Sequence, residues 1–222
     1  MTEAATSSSV GDYVKAIWEL AEAPAGGAST KDIAARLSVA PASVTNMLIR
    51  LQERGLVRYE RYRGAVLTDE GRSEALRLIR RHRLIETFLL QHLGYSWQEV
   101  HDEAEKLEHA VSDLFTERLA KLLAYPEHDP HGHPIPQPDG SLPAEELFTL
   151  AEAEAGKSVV ISRVSDDNAS RLSYLGERGL TPGSRVRVRE VRDLDGVVIV
   201  EDAAGESFSL GGPLARAILV EG

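Results

Sequence analysis

"TKDIAARLSVAPASVTNMLIRLQERGLVRYERYRGAVL", residues 30–67, decides the fold. "TKDIAARLSV" reads as one short helix, with Ser29 or Thr30 placed to cap it. "APASVTNMLIRLQERG" reads as a second helix, entered through Pro41 and closed by Gly55. Two β-type runs then flank Arg63-Gly64, the pattern of a hairpin. Before all of these, "VGDYVKAIWELAEA" (10–23) sets Val10, Tyr13, Val14, Ile17, Trp18 and Leu20 at helical spacing. Helix, short helix, helix, hairpin is the order of a winged helix-turn-helix.

In the second helix of that pair, Val44, Met47, Leu48 and Leu51 form a core-facing stripe. The opposite side of its N-terminal end carries Pro41, Ala42, Ser43, Thr45 and Asn46, with Arg50 further along the outer face. Those residue types suit a helix that reads DNA. Asn pairs bidentately with adenine, Ala and the Thr methyl contact the thymine methyl, and Ser43 with the exposed helix amides suits phosphate. Arg61 and Arg63, with Arg58, Tyr59 and Tyr62, decorate the wing where backbone contacts are expected.

Charge supports this reading once it is divided. The whole chain of 222 residues carries a net charge of −10. Residues 31–83 hold 12 Lys or Arg against 6 Asp or Glu, net +6, while residues 84–157 hold 4 against 15, net −11. One segment suits phosphates and the next suits cations. A wing that packs only protein would not explain why basic charge falls on this unit.

The remaining bulk properties are those of a globular protein, with 42% hydrophobic and 27% charged residues. No apolar run reaches the roughly 18 residues that span a bilayer, so no membrane partner is expected. "MTEAATSSSV" lacks the features of a signal peptide and reads as a frayed tail, which makes the cytoplasm the default location. The chain has no cysteine, which excludes disulfides and thiolate metal sites.

Two long amphipathic helices follow the wing, "RSEALRLIRRHRLIETFLLQHLG" and "SWQEVHDEAEKLEHAVSDLFTERLAKLL". Their wide apolar stripes suit helix-on-helix dimerisation. Residues 125–143 are rich in Pro and Gly and read as a loop and linker. "AEELFTLAEAEAG" reads as a short helix. Five short β-rich runs, with the helix "NASRLSYLGERG" between the first two, then suggest a small barrel. The expected fold is therefore mainly α with a small β domain, divided at 1–74, 75–143 and 144–222.

"HDEAEKLEHA" (101–110) is a candidate metal-binding stretch. At about 100° per residue, His101, Glu105, Glu108 and His109 share a sector of roughly 100° on one helix. The preceding helix offers His82 and Glu86 four residues apart, and Asp12 supplies a carboxylate among apolar neighbours. A lone His and Glu at this spacing is usually a surface pair; two such sets on consecutive helices are harder to dismiss. His128, His131 and His133 form a rival cluster, but their Pro/Gly context favours a loop role. A hydrolytic metal site is the competing class of function. The chain shows no separate general base or oxyanion motif for it, and it would leave the basic winged unit unexplained.

"DYVKAIWEL", "LQERGLVRYERYRGAVLTDEGR", "RHRLIETFL", "VHDEAEKLEHAVSD" and "PHGHPIP" together resemble the diphtheria-toxin-repressor family of metal-dependent transcription regulators, in its three-domain form. The resemblance covers nearly the whole chain. It implies a winged DNA-binding domain, a helical metal-binding and dimerisation domain, and an SH3-like, FeoA-type barrel. It maps a primary metal site onto Asp12, Glu105, Glu108 and His109, and an ancillary site onto His82, Glu86 and His101. Asp166 is the candidate ligand from the barrel, whereas another family position falls on Arg163, which cannot coordinate. Iron-responsive members carry cysteine and methionine where Glu105 and Asp12 stand. This all-oxygen and imidazole set suits Mn²⁺, with Fe²⁺ the alternative. Two-domain manganese regulators carry a second acid where Lys15 stands, so separate primary and ancillary sites are expected here. The resemblance further implies a homodimer on a palindromic double-stranded operator, repressing metal-uptake genes.

Overall fold

The computed structural model describes residues 2–21, 27–165, 168–192 and 194–222, with side chains from Val10 onward. The chain divides into two compact units. The first comprises Met1–His82, Lys106–Ser112 and Pro136–Ser141, and the second Arg83–Glu105, Asp113–Ile135 and Leu142–Gly222.

In the first unit, α1 (Thr2–Ala21) leads to α2 (Thr30–Arg36), α3 (Pro41–Glu53) and the antiparallel pair β1 (Val57–Glu60) and β2 (Gly64–Leu67). The apolar stripes read from the sequence converge on one core, where Val14, Ile17, Ile33, Val44, Leu48, Leu51 and Ala65 are all buried. α3 starts at Pro41, whose missing N–H would have been unsatisfied in any case. The chain leaves α3 through Gly55 at φ 73. Ala28 bridges Ala65 through paired backbone bonds of 3.0 and 2.9 Å, widening the wing.

Of the two capping candidates, Ser29 caps α2. Its Oγ accepts from the Asp32 amide at 3.1 Å and donates to Asp32 Oδ2 at 2.6 Å. Ser29→Ala is expected to destabilise the first unit by about 1 kcal/mol. Thermal melting checks this, and an unchanged midpoint would show that the cap contributes nothing.

The long helix α4 (Asp69–Leu93) contributes residues to both units. Beyond it lie α5 (Val100–Leu107), α6 (Asp113–Leu122) and an antiparallel six-stranded sheet. That sheet has β3 (Phe148–Thr149), β4 (Ser158–Val164), β5 (Arg185–Val191), β6 (Val198–Glu201), β7 (Ser207–Leu210) and β8 (Ile218–Glu221), in the order β3-β8-β4-β5-β6-β7. α7 (Ala169–Gly176), capped by the Asn168 side chain, and the short α8 (Gly212–Arg216) complete the domain. Alternating strand residues such as Val186, Val188, Val198 and Val200 bury against Leu172, Leu175 and Leu180.

Three local readings change. α1 begins at Thr2, so the expected frayed tail is helical. Extending a helix whose nucleus is already fixed by the core requires little per residue. The single helix expected over residues 96–123 is broken into α5 and α6, and Glu108 and His109 stand in the turn after Leu107. "AEELFTLAEAEAG" is not a helix. Phe148 and Thr149 pair with Val220 and Leu219 on β8, and Leu150–Glu152 form one 3-10 turn closed by a Thr149–Glu152 capping box. Pairing to an open sheet edge overrides the helical propensity of that run.

Candidate metal centre and nucleic-acid face

Asp12 and Lys15 lie three residues apart on α1, which places them on one helix face. α4 contributes His82, and the turn after α5 contributes Glu108 and His109, all within the first unit. His109 Nε2 is 2.7 Å from Asp12 Oδ1 and 3.5 Å from Glu108 Oε1. One ligand atom from each of Asp12, Glu108 and His109 falls within 4.8 Å of the others. Two oxygen donors and one imidazole nitrogen at such spacing suit a hard or borderline divalent cation. Gly11 permits the approach, since a Cβ there would lie 3.1 Å from His109 Cε1 and 3.0 Å from Leu78 Cδ2.

Glu108 is fully buried, and its charge is balanced by side chains of the chain itself. Lys15 Nζ donates to its two oxygens at 3.0 and 3.2 Å, and His82 Nδ1 lies 2.5 Å from Oε2. Lys15 Nζ is also 3.2 Å from His82 Nδ1. His82, assigned by resemblance to the ancillary set, thus contacts Glu108. Glu105 is half-buried in the second unit. Asp166 lies outside the described residues.

In the second unit, the Glu86 carboxylate is buried and its Oε1 is 3.1 Å from His101 Nδ1. The histidine-rich loop packs beside it. His128 Nε2 pairs with Glu145 Oε1 at 2.7 Å, and His133 Nδ1 lies 3.5 Å from Asp129 Oδ2. Asp129 organises this loop, its Oδ1 accepting from the amides of His131 at 2.8 Å and His133 at 2.9 Å. Burial alone would raise its pKa, but His133, the Arg83 guanidinium and His131 overcome burial and lower it to about 2. Arg83 also donates to the Pro134 carbonyl at 2.5 Å.

The face expected to meet DNA is open. Pro41, Ala42, Ser43, Asn46 and Arg50 are exposed, and Val44, Leu48 and Leu51 point inward. Thr45 is half-buried, and its hydroxyl donates to the Pro41 carbonyl at 3.2 Å. At the wing tip Arg61 lies over the Tyr62 ring at 5.1 Å, and Arg63 pairs with Glu60 at 3.2 Å. The +6 count overstates what this surface offers. Arg80 and Arg83 are buried, and each donates to a loop carbonyl, that of Pro136 or Pro134.

Residues 5–65 match the N-terminal DNA binding domain of iron dependent repressors, residues 68–137 their metal binding and dimerisation domain, and residues 148–222 the FeoA domain. Iron-dependent repressor IdeR of Mycobacterium leprae is 32% identical over 221 residues, covering 94% of this chain and 95% of that one. The chain belongs to the iron-dependent repressor family. Family members are DNA-binding, metal-dependent transcription regulators and not enzymes, so the hydrolase alternative falls.

Within the repressor family, the HTH-type transcriptional regulator MntR of Bacillus subtilis is 38% identical over 124 residues, or 56% of this chain and 86% of that one. A solved manganese-dependent transcriptional repressor in complex with manganese superposes with a TM-score of 0.88 at 41% identity, covering 95% of this chain and 98% of that one. The winged helix-turn-helix, helical domain and FeoA-type domain expected from the sequence are those of the repressor family. Sequence reasoning missed Gly11, whose lack of a side chain carried no local signal, and the burial of His131 inside a polar-looking loop.

Proposed function

We propose that this repressor responds to manganese, binds a palindromic operator as a homodimer in the cytoplasm, and silences metal-uptake genes. The observation that carries this reading is the sulfur-free set of Asp12, Glu108 and His109 gathered in the first unit. Glu105 is proposed as their fourth partner, with Glu86, His101 and His82 serving the ancillary site. A bound divalent ion would tie Asp12 on α1 to Glu108 and His109 in the turn after α5. Asp12 lies on α1, which packs on α2 and β2. Fixing Asp12 therefore fixes the frame that carries the recognition helix α3. A two-fold dimer needs its two recognition helices at a set separation, so a misplaced frame weakens binding.

Leu114, Phe115 and Leu122 are 63%, 47% and 61% exposed on α6, an uncovered apolar face that suits the dimer. Among the described residues no helix is long and apolar enough to cross a membrane. Iron is the second reading, favoured by the identity with IdeR along nearly the whole chain. Domain limits of 1–74, 75–143 and 144–222 belong to the same proposal.

The test is binding to the DNA upstream of the chain's own gene, titrated with Mn²⁺ and Fe²⁺ under anaerobic conditions. Mn²⁺ is expected to raise affinity at lower free concentration than Fe²⁺, and the reverse order would replace manganese by iron. On the same DNA, Asn46→Ala is expected to cost about 1–3 kcal/mol and to relax preference at one base pair. Arg50→Ala should instead weaken all sequences alike and reduce the salt slope by about 1. Equal effects of both variants on operator and random DNA would remove α3 from base reading.

A further inference from the structure

We infer that the outer face of β5 is a second DNA contact, in which Arg185 and Arg187 hold backbone phosphates of the bound duplex. This contact lies in the FeoA-type domain, outside the winged unit, and holds whichever ion the repressor answers to.

"RVRVREV" alternates, and β5 follows it. Val186 and Val188 bury in the core of the sheet, which leaves Arg185, Arg187 and Arg189 exposed on the other side. Residues 144–222 as a whole are acidic, with 9 Lys or Arg against 14 Asp or Glu, net −5. Those acids do not neutralise the row. On β4 the residues across from Arg187 and Arg185 are Ser158 and Val160. On β6 Arg187 faces Glu201, but the Glu201 carboxylate lies 3.4 Å from Arg189 Nη1. Past the bulge after Val188, Glu190 accepts from Arg192 Nε at 2.9 Å. Among the described residues no carboxylate pairs with Arg185 or Arg187, nor with the exposed Lys157 just before β4.

Alternate residues of a strand stand about 6.8 Å apart. That is inside the Debye length of about 8 Å at physiological salt, so neighbouring guanidinium groups on this face repel. A strand face that only had to meet water could carry Ser or Thr without that repulsion. The spacing is too wide for one small anion to bridge and suits a row of them. Duplex DNA is such a row, with one negative charge for about every 1.7 Å of its axis. The guanidinium fork matches phosphate oxygens, and the exposed Ser158 hydroxyl stands across from Arg187 as a further donor. DNA is also the polyanion that members of this family bind. The competing occupant is an acidic surface on a second copy of the chain.

Equilibrium binding of the full-length protein, loaded with Mn²⁺, separates the two. Fluorescence anisotropy is read on its own upstream DNA and on a random duplex of equal length, from 50 to 200 mM salt. Each phosphate contact adds about 0.9 to the salt slope, so the double variant Arg185→Gln, Arg187→Gln is expected to lower the slope by about 1.8. Over that range the parent should lose about 12-fold more affinity than the variant. The fall should be equal on both duplexes, since phosphates carry no base information. Arg216→Gln, which removes an exposed cation on α8, should leave the slope unchanged. An unchanged slope in the double variant overturns the inference. An equal fall per charge in Arg216→Gln overturns it too, because net charge alone would then be acting. Loss of a larger assembly in sedimentation, at unchanged slope, would assign the face to a second copy. The random duplex still decides if the upstream DNA holds no operator, so failure of the operator reading and failure of this contact are told apart.

Discussion

Glu108→Ala is expected to lower the melting temperature of the metal-free protein by about 10 °C. Glu108 is fully buried, with Lys15 Nζ at 3.0 Å and His82 Nδ1 at 2.5 Å. Removing one partner of a buried pair strands the other and costs about 3–5 kcal/mol. In a chain of this length each kcal/mol moves the midpoint by about 2–4 °C. The loss comes from the contacts that Lys15 and His82 give up when the buried carboxylate is removed. The double variant Lys15→Met, Glu108→Leu should therefore recover most of it, since well-packed apolar replacements of buried pairs are often neutral. A single variant that melts within about 2 °C of the parent would mean that water already reaches Lys15.

Asp12→Ala is expected to abolish the metal response while sparing the fold. The Asp12 side chain is 37% exposed and its ion-pair partner is His109, so its removal should change stability by no more than about 1 kcal/mol. A coupling of ordinary size between two sites is about 1–3 kcal/mol, or roughly 5–150-fold in affinity. That gain in operator affinity on adding Mn²⁺ should vanish in the variant. Gel-shift titration with and without Mn²⁺ measures it, and a parent-like response would remove α1 from the wiring. The two variants differ in what they cost the fold, because Glu108 is a fully buried ligand and Asp12 a part-exposed one.

The residues that were legible from sequence are those whose periodicity had one interpretation. Val44, Leu48 and Leu51 repeat at helical spacing behind a proline, and Val186, Val188, Val198 and Val200 alternate between turn residues. The break between α5 and α6 was hidden because "LEHAVS" contains neither Pro nor Gly. Phe148 and Thr149 were misread because their pairing partner, β8, lies about 70 residues away, beyond any local window. At the site, helical spacing named Glu108 and His109, the family resemblance joined Asp12 to them, and the fold brings the three together. Spacing could not show that His131 is buried, since its neighbours Pro130 and Gly132 have the composition of a solvent loop.

The Lys15 ammonium beside Glu108 has a consequence for how such a protein lives in a cell. Starvation for the ion does not strip the carboxylate of its counterweight, so the idle molecule is expected to stay folded, and a returning ion then meets a site that needs no refolding.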